Sequence, residues 1–228
     1  MATEDEGDRR LGRLAPVCSP DRGDLERVAA AEVGVEDVRE GEEIVGGHLP
    51  RLDWTRVSLR GCCVRLADVA ELVLHRARLI DSHFSEPDIT DLSGPDSTWR
   101  SVIVAGGRIG AWDLAGGVVD AITVAGVQLG YVNLRDATLT DVTVRDCRIE
   151  TLDLAGAKAR RVSLSGCVIG ELVVLRADLD AFDLRGARLD RVDGVENLGG
   201  AIISAEQLLD LAPALAVAAG ITIGQWPM

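Results

Sequence analysis

Apolar residues recur along this chain at every fifth position. From Ile44 the central apolar position of each step passes through Leu49, Trp54, Leu59, Val64, Val69, Leu74, Leu79, Phe84 and Ile89. It breaks at Gly94 and resumes at Trp99, Val104, Ile109, Leu114, Val119, Val124, Leu129, Leu134, Leu139, Val144, Ile149 and Leu154. Ala159 is a weak member, and the series closes with Leu164, Ile169, Val174, Leu179, Leu184 and Leu189. No residue is inserted or lost over about 146 positions. A helix buries residues at 3.6 spacing and a strand at 2.0, and neither period survives here. Such a repeat predicts a solenoid, in which each unit stacks only on its neighbours.

Two residues before each core position lies a second inward position. From Val132 onward it alternates large and small: Val132, Ala137, Val142, Cys147, Leu152, Ala157, Val162, Cys167, Leu172, Ala177, Phe182, Ala187. Residues 141–160 and 161–180 accordingly align as two copies of one twenty-residue unit, with Cys147 over Cys167 and Leu152 over Leu172. One five-residue step then makes one side of a coil, and four steps close it. Equivalent residues stack roughly 4.8 Å apart, so about seven and a half coils make a rod roughly 36 Å long. Small residues at alternate inward positions leave room for the larger ones.

Segments such as Tyr131-Val132-Asn133-Leu134-Arg135, Arg176-Ala177-Asp178-Leu179-Asp180 and Gly186-Ala187-Arg188-Leu189-Asp190 resemble the pentapeptide-repeat family, whose consensus is Ala-(Asp/Asn)-Leu-x-x. The likeness covers residues 44–193. It implies an all-β solenoid, a right-handed quadrilateral β-helix of seven to eight coils. Val142, Leu152, Val162 and Leu172 depart from the consensus by placing larger residues at the small inward position. The core ladder is read as Val144, Ile149, Leu154, Leu164, Ile169, Val174, Leu179, Leu184 and Leu189.

Three parts follow: an acidic lead-in over 1–43, the coil over 44–193, and a C-terminal helical cap and tail over 194–228. In the lead-in, residues 24–31 suggest a short helix with Asp24 near its N-cap. Val33, Val35 and Val38 suggest an extended cover for the first coil, and the first ten or so residues are expected to be disordered. Within the coil, Glu86 to Ser97 is the weak place, because Pro87 takes an inward position and Gly94 a core one. Proline cannot donate to a ladder and glycine packs nothing, so a bend, a bulge or a small loop is expected there. After Asp193, Ser204 with Gln207 three residues on is a capping-box signature. It predicts a helix from Ala205 to about Ala212, with Pro213 opening a second helix that Gly220 ends. Ile221 and Ile223 suggest a final strand. Leu208, Leu211, Leu215, Ile221, Ile223 and Trp226 are the candidate contacts for plugging the last coil; the family resemblance adds homodimerisation through the same segment.

Composition adds little chemistry. Met1 to Arg10 carry no apolar run, and Leu211 to Ile223 is too short and too interrupted to span a membrane, so a cytoplasmic protein is expected. Of the cysteines Cys18, Cys62, Cys63, Cys147 and Cys167, the last two are expected as vertical neighbours in one interior column, behaving as small buried hydrophobes. Cys62 and Cys63 point opposite ways on an extended segment and make no metal motif. His48, His75 and His83 fall at different phases of the repeat without ligand spacing. Asp113, Asn133 and Asp153 form an exposed column whose expected work is to hold corner backbone amides. No catalytic residue, metal or cofactor is expected.

The family resemblance carries one sharp functional implication, since some members mimic duplex DNA, bind DNA gyrase and protect it from quinolones or toxins. The net charge of −13 invites that reading, but its placement opposes it. Residues 1–43 carry a net −7, residues 44–193 only −3, and the tail −3. DNA presents about one charge per 1.7 Å, or about 21 over such a rod. A basic stripe for nucleic-acid binding is equally absent from the sequence. The reading favoured by the residues is a non-enzymatic scaffold for an unknown protein partner, with gyrase protection as the runner-up. Leu154→Asp is expected to unfold or split the rod, because it buries an unpaired carboxylate in the stack. Thermal melting checks it: an unchanged Tm removes the register.

Overall fold

The computed structural model describes residues 25–222. The expectations for the first ten residues, for Cys18, for Ile223 and for Trp226 lie outside them. The described chain is an all-parallel β-solenoid of about nine turns followed by one helix. Partners in the ladder are one coil apart, as in Thr138↔Lys158, Leu139↔Ala159 and Val142↔Val162. The sequence repeat of twenty is therefore the hydrogen-bonding period of the fold. One continuous apolar core runs up the axis from Val28 to Ala187.

The corners explain how a coil turns four times in twenty residues. Three of the four carry a residue with positive φ at a fixed place in nearly every coil. Arg56, Arg76, Asp96 and Asp136 mark one, Gly61, Asp81 and Ser101 the second, and Gly106, Gly126 and Asp146 the third. A left-handed residue third in a tight turn is the type II geometry. The fourth corner has none, and strands such as Arg108–Asp113 and Gln128–Asn133 run through it without interruption.

The stack extends the expected coil at both ends. At the N-terminal end, β1 (Glu26–Ala29) pairs in parallel with Glu42–Val45. Residues 24–31 were expected to form a helix; over the described part of that stretch the chain is instead this strand and a 3₁₀ turn, Ala30–Glu32. The first coil offers an unpaired ladder edge, and pairing it satisfies more backbone than one turn of helix does. Val28 is buried in consequence, and the Ala30 carbonyl accepts the indole N–H of Trp54 at 3.4 Å. Val33 is buried, whereas Val35 and Val38 stay exposed. At the other end Ala201–Ile202 adds a last rung on Phe182–Asp183.

Two departures from the expected coil occur inside it. Before Val69 the inward residue is Leu66, which is fully buried, while Ala67 two residues before the core position is exposed. The left-handed residues there are His48 and Asp68, so this corner turns two residues later in the first coils.

The second departure is the stretch Glu86 to Ser97, where no bend or loop forms. Asp88–Ser93 pairs with Arg108–Asp113 above and with 69–73 below. Pro87 stays in the wall and its carbonyl accepts the Arg108 amide at 2.6 Å. Gly94 keeps its core place, and the reason is volume. Phe84, Trp99 and Trp112 stack in the interior with centroids 5.5 and 5.4 Å apart. A Cβ on Gly94 would lie 3.2–3.3 Å from Ser97, Leu114 and Leu74 atoms. Those three side chains close on the place of the missing one, and Ser97 Oγ also accepts the Trp99 indole N–H at 2.9 Å. Gly94→Leu is expected to destabilise by about 1–3 kcal/mol through overpacking, read as a lower Tm; an equal or higher Tm removes this account of the glycine.

Candidate functional site

The surface of a solenoid is a set of columns, and its chemistry depends on what each side chain meets one coil away. The dominant contact is the ion pair between residues twenty apart. Arg51 donates to Glu71 at 2.9 Å, Arg100 to Asp120 at 3.1 Å, Arg108 to Asp88 at 2.6 Å and Arg161 to Asp141 at 2.7 Å. Arg56 with Glu36 and Arg191 with Glu171 repeat the arrangement. Each such surface pair contributes about 0–1 kcal/mol to stability. Collectively they lower the field, because acids such as Glu71, Asp88, Asp120, Asp141 and Glu171 face arginines one coil away, while others such as Asp91, Asp136, Glu150 and Asp178 face solvent.

The column Asp113, Asn133 and Asp153 lies on one outer face of the coil, but not as exposed as expected. Asp113 and Asn133 are half-buried and Asp153 is 2% exposed. Asp113 Oδ1 accepts the Ala115 amide at 3.0 Å, Asn133 Oδ1 the Arg135 amide at 3.1 Å, and Asp153 Oδ1 the Ala155 amide at 3.0 Å. Asn133 also donates to Asp113 at 2.8 Å. Asp153 goes in because it gathers further donors, Arg135 at 2.7 Å and the Tyr131 hydroxyl at 3.1 Å. Burial, and then the Asp153 carboxylate, push the Tyr131 hydroxyl above its ordinary pKa. These polar atoms hold the backbone and one another, which is corner chemistry rather than a reaction centre.

The same use recurs elsewhere. Asp53 accepts from the Thr55 hydroxyl and amide, and those bonds hold its carboxyl below the usual carboxylate range. The Arg185 guanidinium beside Asp183 does likewise. A depressed carboxyl stabilises the fold above the ordinary carboxylate range and loses that contribution as pH falls through it. His48 Nδ1 lies 2.6 Å from Asp68, one coil away, and His75 Nε2 lies 2.9 Å from Ser93. Among the described residues no group of three or more metal-ligating side chains converges.

Cys147 and Cys167 sit in the interior wall, each thiol directed at backbone carbonyls such as Arg145 at 3.2 Å and Ser165 at 3.5 Å. The Cys147 thiol, then burial, pushes the Cys167 thiol well above its ordinary value. The hydrogen bond from Cys167, opposed by burial, holds the Cys147 thiol below its ordinary value, at about 7, and both thiols are buried in the wall away from solvent. Of the sequence-derived ladder, Ile149, Leu154, Leu164, Ile169, Val174, Leu179 and Leu184 are buried, while Val144 and Leu189 are half-buried against the same core.

The C-terminal segment concentrates exposed apolar side chains, which on the rod are scattered singly, as at Val118, Tyr131 and Leu175. Helix α1 spans Ala205–Ala218, and the capping box is present: Gln207 N donates to Ser204 Oγ and Ser204 N to Gln207 Oε1. Two helices were expected; one runs through Pro213. The carbonyl that Pro213 cannot serve belongs to Leu209, which is 75% exposed, so water can serve it. Gln207 ties the helix to the last coil, donating to the Leu184 and Ala187 carbonyls at 2.7 Å each. Of the candidate contacts among the described residues only Leu211 is buried and Leu215 half-buried; Leu208 and Ile221 are exposed, as are Leu209 and Val217. Ile221 lies outside any strand. No helix among the described residues is long and apolar enough to cross a membrane.

Asp153→Ala strands the Tyr131 hydroxyl and the Arg135 guanidinium together, so it is expected to cost about 1–3 kcal/mol. Asp113→Ala, at a half-buried site, should cost less; denaturant titration of the two variants checks the order, and equal losses remove the special place given to Asp153. Among known proteins, no family model and no curated protein matches the chain. It is similar to two solved structures of trypsin-treated variants of QnrB1, a plasmid-mediated fluoroquinolone resistance protein. One shares 14% identity over 87% of this chain and 95% of that one, with a TM-score of 0.31. The other shares 12% over 88% and 100%, with a TM-score of 0.30, and likenesses at this level say nothing about function.

Proposed function

We propose that this protein is a non-enzymatic pentapeptide-repeat scaffold for protein–protein contacts, working in the cytoplasm. It comprises a lead-in over 1–43, the coil over 44–193 and a cap over 194–228. The observation that carries the reading is how the polar side chains are used. Carboxylates and amides that a catalytic site would direct at a substrate are spent on corner amides and on arginines one coil away. What remains for a partner is a stiff rod with mixed-charge columns, ending in a helix whose Leu208, Leu209 and Val217 face solvent. That helix is the contact surface we assign to a second copy of the chain.

The runner-up, protection of DNA gyrase by mimicry of duplex DNA, meets an electrostatic obstacle. A mimic needs uncompensated negative charge along its length, whereas Asp88, Asp120, Asp141, Glu71 and Glu171 are each paired with an arginine. Two measurements separate the readings. In sedimentation equilibrium the protein is expected to be a dimer that Leu209→Asp converts to a folded monomer; a wild-type monomer at all concentrations removes the assigned interface. In a gyrase supercoiling assay with and without a fluoroquinolone, titrated protein is expected to change nothing. Inhibition, or rescue of the poisoned enzyme, overturns the scaffold reading in favour of the mimic.

A further inference from the structure

The interior of the rod is not uniformly filled. A cavity of about 60 Å³ runs along the axis, bounded by Trp112 at one end and Phe182 at the other, with Val124, Leu134, Leu154 and Leu164 among the side chains between. Its walls are wholly apolar. The sequence accounts for it. Every inward position between Trp112 and Phe182 carries an aliphatic residue, a cysteine or a glycine, as at Gly117, Ala137, Ala157 and Ala159. Four aliphatic side chains reaching in from four walls leave the centre of the square open. In the lower coils the Phe84–Trp99–Trp112 stack closes it. The residue separation of 70 between the end walls corresponds to three and a half coils, or about 17 Å of axis.

Water does not fit the site. A buried water occupies about 10–15 Å³ on this measure, so the cavity has space for several. Each of them needs two to four polar partners, and the walls expose no polar atom.

We infer that the axial cavity is a binding site for one small, slender apolar molecule, such as a noble-gas atom or a short hydrocarbon, held by the aliphatic walls between Trp112 and Phe182. The guest enters by displacing nothing, because an apolar void of this kind stays dry, and its gain comes from dispersion contacts that the unfilled walls lack.

Crystals of the full chain pressurised with xenon test this directly. A single anomalous peak on the axis between Trp112 and Phe182 is expected, together with saturable methyl shifts of the Leu134 and Leu154 signals in xenon-titrated NMR. Leu134→Phe is expected to abolish both while leaving any surface xenon sites in place. Should that variant not fold, Val124→Leu provides a milder filling and should weaken the shifts at least several-fold. Ordered water filling the channel, an axis without xenon in well-diffracting crystals, or axial binding unchanged in the filled variants overturns the inference.

Discussion

The structure depends on one constraint: each coil must hydrogen-bond to the next with residues twenty apart in register. Parallel ladders such as those joining 128–133 to 148–153 fix equivalent residues directly above one another. Stacking like on like then dictates everything else. Inward columns must sum to one cross-section, outward columns must alternate or neutralise their charge, and the corners must turn at the same place in each coil. This is why arginine, aspartate, serine and alanine all adopt positive φ at corner positions. The ladder determines the backbone there, and the residue accepts the strain, of order 1–3 kcal/mol for a non-glycine.

The interior shows the constraint acting through volume. Phe84, Trp99 and Trp112 are one aromatic stack distributed over neighbouring coils, while Leu74, Ser97 and Leu114 close on Gly94. Where aromatics are absent, above Trp112, the same four-sided geometry leaves a channel that aliphatic side chains line but do not fill. Dense core and open channel therefore follow from one rule applied to different side chains.

On the outside, register converts composition into a field. The same number of arginines scattered without register would leave local acidic patches. Here Arg108 meets Asp88 and Arg161 meets Asp141 because the coil brings partners twenty residues apart to the same height on neighbouring rungs. The polar residues left over bind corners, as Asp153 does, and exposed apolar residues are scattered along the rod but cluster on α1, at Leu208, Leu209 and Val217. Interaction, if it uses the least satisfied surface, begins at that helix.

What the sequence determined alone was whatever repeats or is local. The five-residue period specified the solenoid, the twenty-residue alignment specified which residues stack, and Ser204 with Gln207 specified where α1 begins. The tertiary structure decided whatever depends on a neighbour one coil away. Residues 26–29 have helical composition but pair as a strand because an open ladder edge lies beside them. Leu66 replaces Ala67 in the core because the first corners turn late. Pro87 and Gly94 read as a break, yet the chain runs straight because the ladders to both neighbouring coils continue and Leu74, Ser97 and Leu114 close on the glycine. Asp153 reads as exposed and is buried because Tyr131 and Arg135 converge on it. In each case local preference is worth a fraction of a kcal/mol to about one, and a ladder of hydrogen bonds or a filled core outweighs it.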